Sequence, residues 1–176
     1  MSRRDLVIPD VKLIRLARRR VHDVLTLANS SQRGRSLINL GCSDEPVQRL
    51  VNGILPGSYI QPHVHNGNNP KWESFTLLYG GPVGIVTFME DGRLAGVKSL
   101  AEGGVRGPYV IEPNTYHSAI AIGPSGLLEM LDQPHDPETH KKMAPWAPSE
   151  DASQREIEAY LGPIRNYVYS RLASRR

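Results

Sequence analysis

Residues Gly57 to Gly80 read GSYIQPHVHNGNNPKWESFTLLYG, and the placing of their histidines decides the fold. His63 and His65 stand two apart on an apparent strand, where side chains at i and i+2 share a face. Both can therefore reach one ion while Val64 points away. A turn at Asn66 to Pro70 folds the next strand back antiparallel and returns Glu73 to that face. A third histidine, His117, follows a second strand pattern and a turn at Glu112, Pro113 and Asn114. Imidazoles and a carboxylate converging from these positions make a metal site, with His63, His65, Glu73 and His117 as the expected ligands.

The texture around this stretch is that of short strands punctuated by glycine and proline. Leu37 to Leu40 is a short apolar run, and Gln48 to Leu55, Tyr59 to His65, Trp72 to Tyr79 and Val83 to Glu90 read as strands. They are followed by Leu94 to Leu100, Tyr109 to Ile111, Tyr116 to Ile122 and Gly126 to Leu131. Gly80, Gly81 and Pro82 form one break, and Asp91 with Gly92 is a hairpin signal. Such a series implies a mainly β sandwich or barrel.

At the histidines and their turns the sequence resembles the cupin superfamily. Gly57, His63, His65, Glu73 and Gly80 match its first motif, with a gap between His65 and Glu73 longer than usual. Gly107, Pro113 and His117 match the second, with Asn114 in place of the turn glycine and Ala121 where an asparagine is usual. Asparagine suits the turn because it enters the left-handed region more readily than most residues. Within the superfamily the likeness is to WbuC-type cupin-fold metalloproteins, carried by EPVQRLVNGILPGSYIQPHVH, PKWE and IEPNTYHSA between Asp44 and Glu129.

The resemblance implies a cupin double-stranded β-helix, a jelly-roll barrel, with an N-terminal and a C-terminal helical extension. The expected division is 1–36 for the first extension, 37–132 for the barrel and 133–176 for the last, all within one domain. It also implies a metalloprotein of bacterial surface polysaccharide pathways, with a sugar or nucleotide-sugar ligand, and a homodimer paired through sheet edges.

Composition sets the outer bounds. A chain of 176 residues with 39% hydrophobic and 22% charged residues fits one soluble globular domain. No apolar run approaches the roughly 20 residues of a membrane span, and Asp5, Pro9, Asp10 and Lys12 interrupt any leader pattern, so a cytoplasmic location is expected. The lone cysteine, Cys42, forms no intrachain disulfide and reads as a small packed residue. The net charge of +3 owes much to arginines near the two ends, such as Arg18, Arg19, Arg20, Arg171, Arg175 and Arg176. Without interleaved aromatics these read as solvated faces, and neither nucleic acid nor membrane is an expected partner.

Outside the strands, residues 10–29 place Val11, Ile14, Ala17, Val21, Val24, Leu25 and Ala28 at helical spacing, with Asp10 as N-cap. His22 lies in this helix and is not counted as a ligand. A final helix is expected from Ser149 or Asp151 to Ala173, broken or restarted at Gly162 and Pro163. Ile157, Tyr160 and Leu161 form the stripe before the break, and Ile164, Tyr167, Val168 and Leu172 the stripe after it. His135 and His140 fall in the proline-rich segment between barrel and helix, without strand context.

Alternation places Tyr59 and Gln61 on the face of the histidines, Phe75 and Leu77 on that of Glu73, and Ala119 and Ala121 on that of His117. This is the lining of a small-molecule pocket. Arg49 is a candidate anion contact near its mouth. The donor set suits a divalent Fe, Mn, Ni, Co or Zn ion; octahedral geometry leaves two positions open, and tetrahedral geometry closes the site as in structural zinc. The sequence then supports a metal-dependent enzyme acting on a sugar, nucleotide-sugar or small carboxylate, with Tyr59, Tyr116, Glu129 and Glu112 as candidate acid or base groups. An iron-dependent dioxygenase and a non-catalytic, metal-containing ligand-binding or structural module are the alternatives; the residues alone do not choose between turnover and binding.

Overall fold

The computed structural model describes residues 11–42, 44–65, 70–101, 108–132 and 141–173. Helix α1 (Val11–Ser30) leads into strands β1 (Arg35–Asn39), β2 (Val47–Ile54), β3 (His63–Val64), β4 (Glu73–Gly80) and β5 (Val83–Phe88). Strands β6 (Leu94–Leu100), β7 (Tyr109–Ile111), β8 (Tyr116–Ala121), β9 (Ser125–Asp132) and β10 (Lys142–Met143) follow, and helix α2 (Gln154–Ala173) closes the order. Two five-stranded antiparallel sheets result, in the orders β1-β2-β9-β4-β7 and β10-β3-β8-β5-β6. The mainly β class with a helix at each end, expected from the sequence, is what is observed.

Period-2 alternation sorts the side chains of both sheets into layers. Between the sheets lie Ile54, Phe75, Leu127 and Ile111 from the first sheet and Val83, Ile85, Leu100, Ala119 and Ala121 from the second. On the far side of the first sheet Val51, Leu128 and Met130 bury against Ala17, Val21 and Val24 of α1. On the far side of the second, Val86, Phe88 and Ile120 bury against Ile157, Leu161, Ile164 and Val168 of α2. Each sheet is thus apolar on both faces, and the helices are what cover the outer ones.

Glycine admits the helices closely. Gly53 and Gly126 are register partners on β2 and β9, and a Cβ on them would meet the Val24 carbonyl oxygen at 2.7 Å and Val21 Cγ1 at 2.8 Å, respectively.

The helices differ from expectation in detail. Val11 is 64% exposed and stands off the apolar face of α1, while Asp10 lies outside the described residues. Helix α2 begins at Gln154, where Ser153 and Glu156 form a reciprocal capping box, with each backbone N–H donating to the other's side chain. It then runs through Gly162 and Pro163 without a break. A mid-helix proline costs on the order of 3 kcal/mol. Burying aliphatic side chains on both sides of it, at about 1.5–3 kcal/mol each, offsets that cost. Tyr167 of the expected stripe is exposed, and the Leu172 side chain is outside the described residues. Cys42, expected to be packed, is exposed.

Candidate metal centre and cavity

His63 and His117 are register partners across β3 and β8, so their imidazoles leave the second sheet side by side, with ring centroids 4.6 Å apart. His65 follows β3, and its carbonyl accepts a hydrogen bond from Asn114 N–H at 3.5 Å. Asn114 has φ 62°, the left-handed conformation expected of it in this turn. Glu73 opens β4 on the opposite sheet and crosses the interior to meet them. One donor atom from each of His63, His65, Glu73 and His117 lies within 4.8 Å of the other three, and all four residues are buried.

The second ring nitrogens explain the orientation. His63 Nδ1 lies 3.0 Å from the Gln61 carbonyl and His117 Nδ1 lies 2.8 Å from the Thr115 carbonyl, so each Nδ1 carries the donated hydrogen. That tautomer leaves both Nε2 lone pairs free for a cation, the usual outer support of a metal-bound histidine. Glu73 Oε2 lies 2.6 Å from His117 Nε2 and 3.5 Å from His65 Nε2. Glu73 Oε2 and His117 Nε2 are nevertheless buried without a properly aligned hydrogen bond. Buried polar atoms rarely stay unpartnered, and these two converge on a common point. Such a donor set fits a divalent first-row ion.

Electrostatics divides the carboxyls of the site. Burial by itself raises the Glu73 carboxyl, but His117 and His65 beside it bring it well below the usual carboxylate range. Glu129, on β9 diagonally across from Glu73, goes the other way. Burial pushes its pKa well above the ordinary value, and the neighbouring Glu73 carboxylate, to which it hydrogen-bonds, pushes it further. Asn52 Nδ2 donates to Glu129 Oε2 at 2.6 Å. His63 is held well below its ordinary value, first by burial and then by the nearby His117. A neutral imidazole is the form that ligates.

A cavity of about 620 Å3 opens over the cluster. Gln48, Leu50, Asn52 and Ile54 of β2 line it in strict alternation, with Phe75 and Ala119 beside the four clustered side chains. The small side chain expected at Ala119 does border this space, while Ala121 packs in the inner core.

Other candidates are placed elsewhere. Tyr59 precedes β3 in non-strand backbone, so alternation does not govern it. It turns to the α2 side, where its hydroxyl donates to the Pro148 carbonyl at 2.7 Å. Gln61 donates to the Ala144 carbonyl. Tyr116, one residue before His117, faces the opposite way and meets Trp146 edge-to-face, with ring centroids 5.7 Å apart. Glu112 is exposed in the turn. Arg49 points to the α1 side of the sheet and pairs with Glu45, and His22 is 93% exposed. His135 and His140 lie outside the described residues. Of the candidate acid or base groups, Glu129 alone lines the cavity. Sequence reading missed Arg33, Arg35, Lys141 and Glu150, which also line it; nothing in the spacing of the motifs points to them.

Comparison with known proteins agrees with this architecture. A crystal structure of oxalate oxidase in complex with the substrate analogue glycolate superposes with TM-score 0.50 at 13% identity, over 82% of this chain and 75% of that one. CapF with an inhibitor gives TM-score 0.50 at 17% identity, over 61% of this chain but only 31% of CapF. The fold is the cupin double-stranded β-helix. A cupin 2 domain-containing protein from Halorhodospira halophila is also similar, with TM-score 0.48 and 17% identity over 77% of this chain and 83% of that one. Residues 16–100 match a family described as a domain of unknown function, DUF6016. No curated protein matches the chain. No helix among the described residues is long and apolar enough to cross a membrane.

Proposed function

We propose that this chain is a metal-dependent cupin that holds a divalent cation through His63, His65, Glu73 and His117 and receives a small molecule in the cavity above it. The observation that carries this reading is the convergence of the four buried donor atoms within 4.8 Å. When bound, the cation supplies Lewis-acid polarisation of a ligand oxygen. The chain's own residues do the rest. Gln61 and Thr115 carbonyls fix the ring tautomers, Phe75 and Ala119 shape the apolar wall, and Asn52 orients Glu129 beside the reacting space. A carboxyl in that position is placed to exchange a proton with a bound sugar, nucleotide-sugar or small carboxylate.

Metal analysis by plasma mass spectrometry on the purified full chain tests the reading. About one equivalent of Fe, Mn, Ni, Co or Zn is expected in the wild type and a small fraction of that in His63→Ala. Wild-type protein that holds no cation after purification and takes none up from solution overturns it. A screen of sugars, sugar nucleotides and carboxylates on the loaded protein then separates metal-dependent turnover from ligand-induced stabilisation without product.

A further inference from the structure

Among the described residues that line it, the cavity over the cluster gathers three cationic side chains, Arg33, Arg35 and Lys141, around the one carboxylate of Glu150. Arg33 and Arg35 flank Gly34, whose φ of 63° turns the chain so that both guanidinium groups reach the same side. Both find one carboxylate oxygen, Glu150 Oε2, at 3.2 Å and 2.5 Å. Among the described residues neither has a carboxylate of its own, and the second nitrogen of Arg35 is occupied by the Tyr59 carbonyl. Arg35 is mostly buried, held in place from two directions, while Arg33 is 65% exposed. On another side of the same cavity stands Lys141, exposed and close enough for its charge to act on His63 and Glu129. Among the described residues that line the cavity, Glu150 is the one carboxylate set against these cations, since Glu73 faces the histidines and Glu129 is hydrogen-bonded to Asn52 and Glu73. A bound divalent ion adds further positive charge, which a low-dielectric cavity screens poorly.

We infer that the occupant of this cavity is a small oxygen-rich anion, with a carboxylate or phosphate group recognised by Arg33, Arg35 and Lys141 and its other end directed to the cation site. The inference rests on the metal reading for that second end and selects, among the ligand classes open to the fold, the acidic ones over neutral sugars. Arginine suits this task, since its planar fork pairs with both carboxylate and phosphate, and Lys141 adds a mobile point charge. Glu150 acts as an internal carboxylate that keeps the two arginines aligned.

The test uses the metal-loaded full chain in isothermal titration calorimetry at fixed ionic strength, with L-malate, glucose 6-phosphate and glucose as probes. Arg33→Gln and Lys141→Gln are the variants, both at exposed positions where folding is not at stake. At least one of the two acids binds the wild type, and glucose is bound at least tenfold more weakly than that acid. Each variant loses about tenfold in affinity for it and keeps the wild-type metal content. Malate binding identifies a carboxylate site and glucose 6-phosphate binding a phosphate site. Glucose bound as tightly as the acids, no binding of either acid, or acid binding equal in wild type and both variants overturns the inference. So does loss of metal content in the variants, which would assign these charges to the fold. Acid binding that depends on Arg33 and Lys141 in a chain found unable to hold any cation would remove the metal reading and leave this one standing.

Discussion

His63 and His117 face each other across β3 and β8, and each ring donates its Nδ1 hydrogen to the carbonyl two residues before it. The two strands thus deliver two imidazoles in the same tautomer to one point, with Glu73 arriving from the other sheet. A ligand that binds only the folded chain stabilises it by RT ln(1 + [L]/Kd), about 2.7 kcal/mol at a hundredfold excess over Kd. For a chain of this size that corresponds to a rise in Tm of about 5–10 °C. Differential scanning fluorimetry with Ni2+ or Zn2+ is expected to show this rise in the wild type and to lose it in His117→Ala. The exposed His22→Ala variant serves as control and retains it.

Glu129 predicts a different pattern. Its carboxyl accepts from Asn52 and bonds to Glu73, and a glutamine keeps both an acceptor and a donor in those places. Glu129→Gln is therefore expected to change stability by less than about 1 kcal/mol and to leave metal content intact. Glu129→Leu, which strips partners from Asn52 and Glu73 inside the barrel, is expected to cost about 1–3 kcal/mol. Urea denaturation of the two variants side by side checks the difference. A glutamine variant as unstable as the leucine one would mean that the charge, not the hydrogen bonding, holds this corner together.

The close seating of α1 yields a third expectation. An alanine at Gly53 drives its Cβ toward the Val24 carbonyl, and backbone yields less readily than a side-chain tip. Overpacking of this kind costs about 1–3 kcal/mol, or roughly 2–12 °C in Tm. The cluster lies on the other face of the sheet, so Gly53→Ala is expected to bind Ni2+ with unchanged stoichiometry. Thermal melting and metal analysis of one preparation read both effects.

The cluster was legible because the residue types and spacing that suit a metal are restricted: His63, His65, Glu73 and His117 need only strand alternation and a turn to converge. The longer gap before Glu73 does not prevent this, since β4 starts at Glu73 itself. Alternation failed at Tyr59 and Gln61, where the backbone is not in a strand and successive side chains do not have to alternate. Local pattern also misjudged α2. Whether a proline ends a helix depends on what the residues beyond it can bury, and sheet packing is invisible to a window of sequence. The mouth of the cavity was least legible, because Arg33 and Arg35 lie far along the chain from Lys141 and Glu150 and share a cavity with them only after folding.

Tyr59 gives a pH dependence whose sign can be worked through. Burial, and then the nearby Glu150 charge, raise its hydroxyl from the ordinary 10 to about 12. The folded state therefore keeps the proton over a range in which the unfolded chain releases it. The contribution is complete below about pH 10 and is lost as pH rises through about 12. The protonated hydroxyl is the form that donates to the Pro148 carbonyl, tying the segment before β3 to the lead-in of α2. Tyr59→Phe is expected to lose about 0.5–1.5 kcal/mol at neutral pH, the net worth of one such bond. The difference from wild type should shrink as pH climbs from about 10 toward 12, because the wild type is then losing what the variant never had. Urea midpoints at pH 7, 10 and 11.5, with tyrosinate absorbance followed in parallel, measure it. A gap between the two proteins that stays constant across that range would show that the Tyr59 hydroxyl titrates no differently in the folded chain than in water.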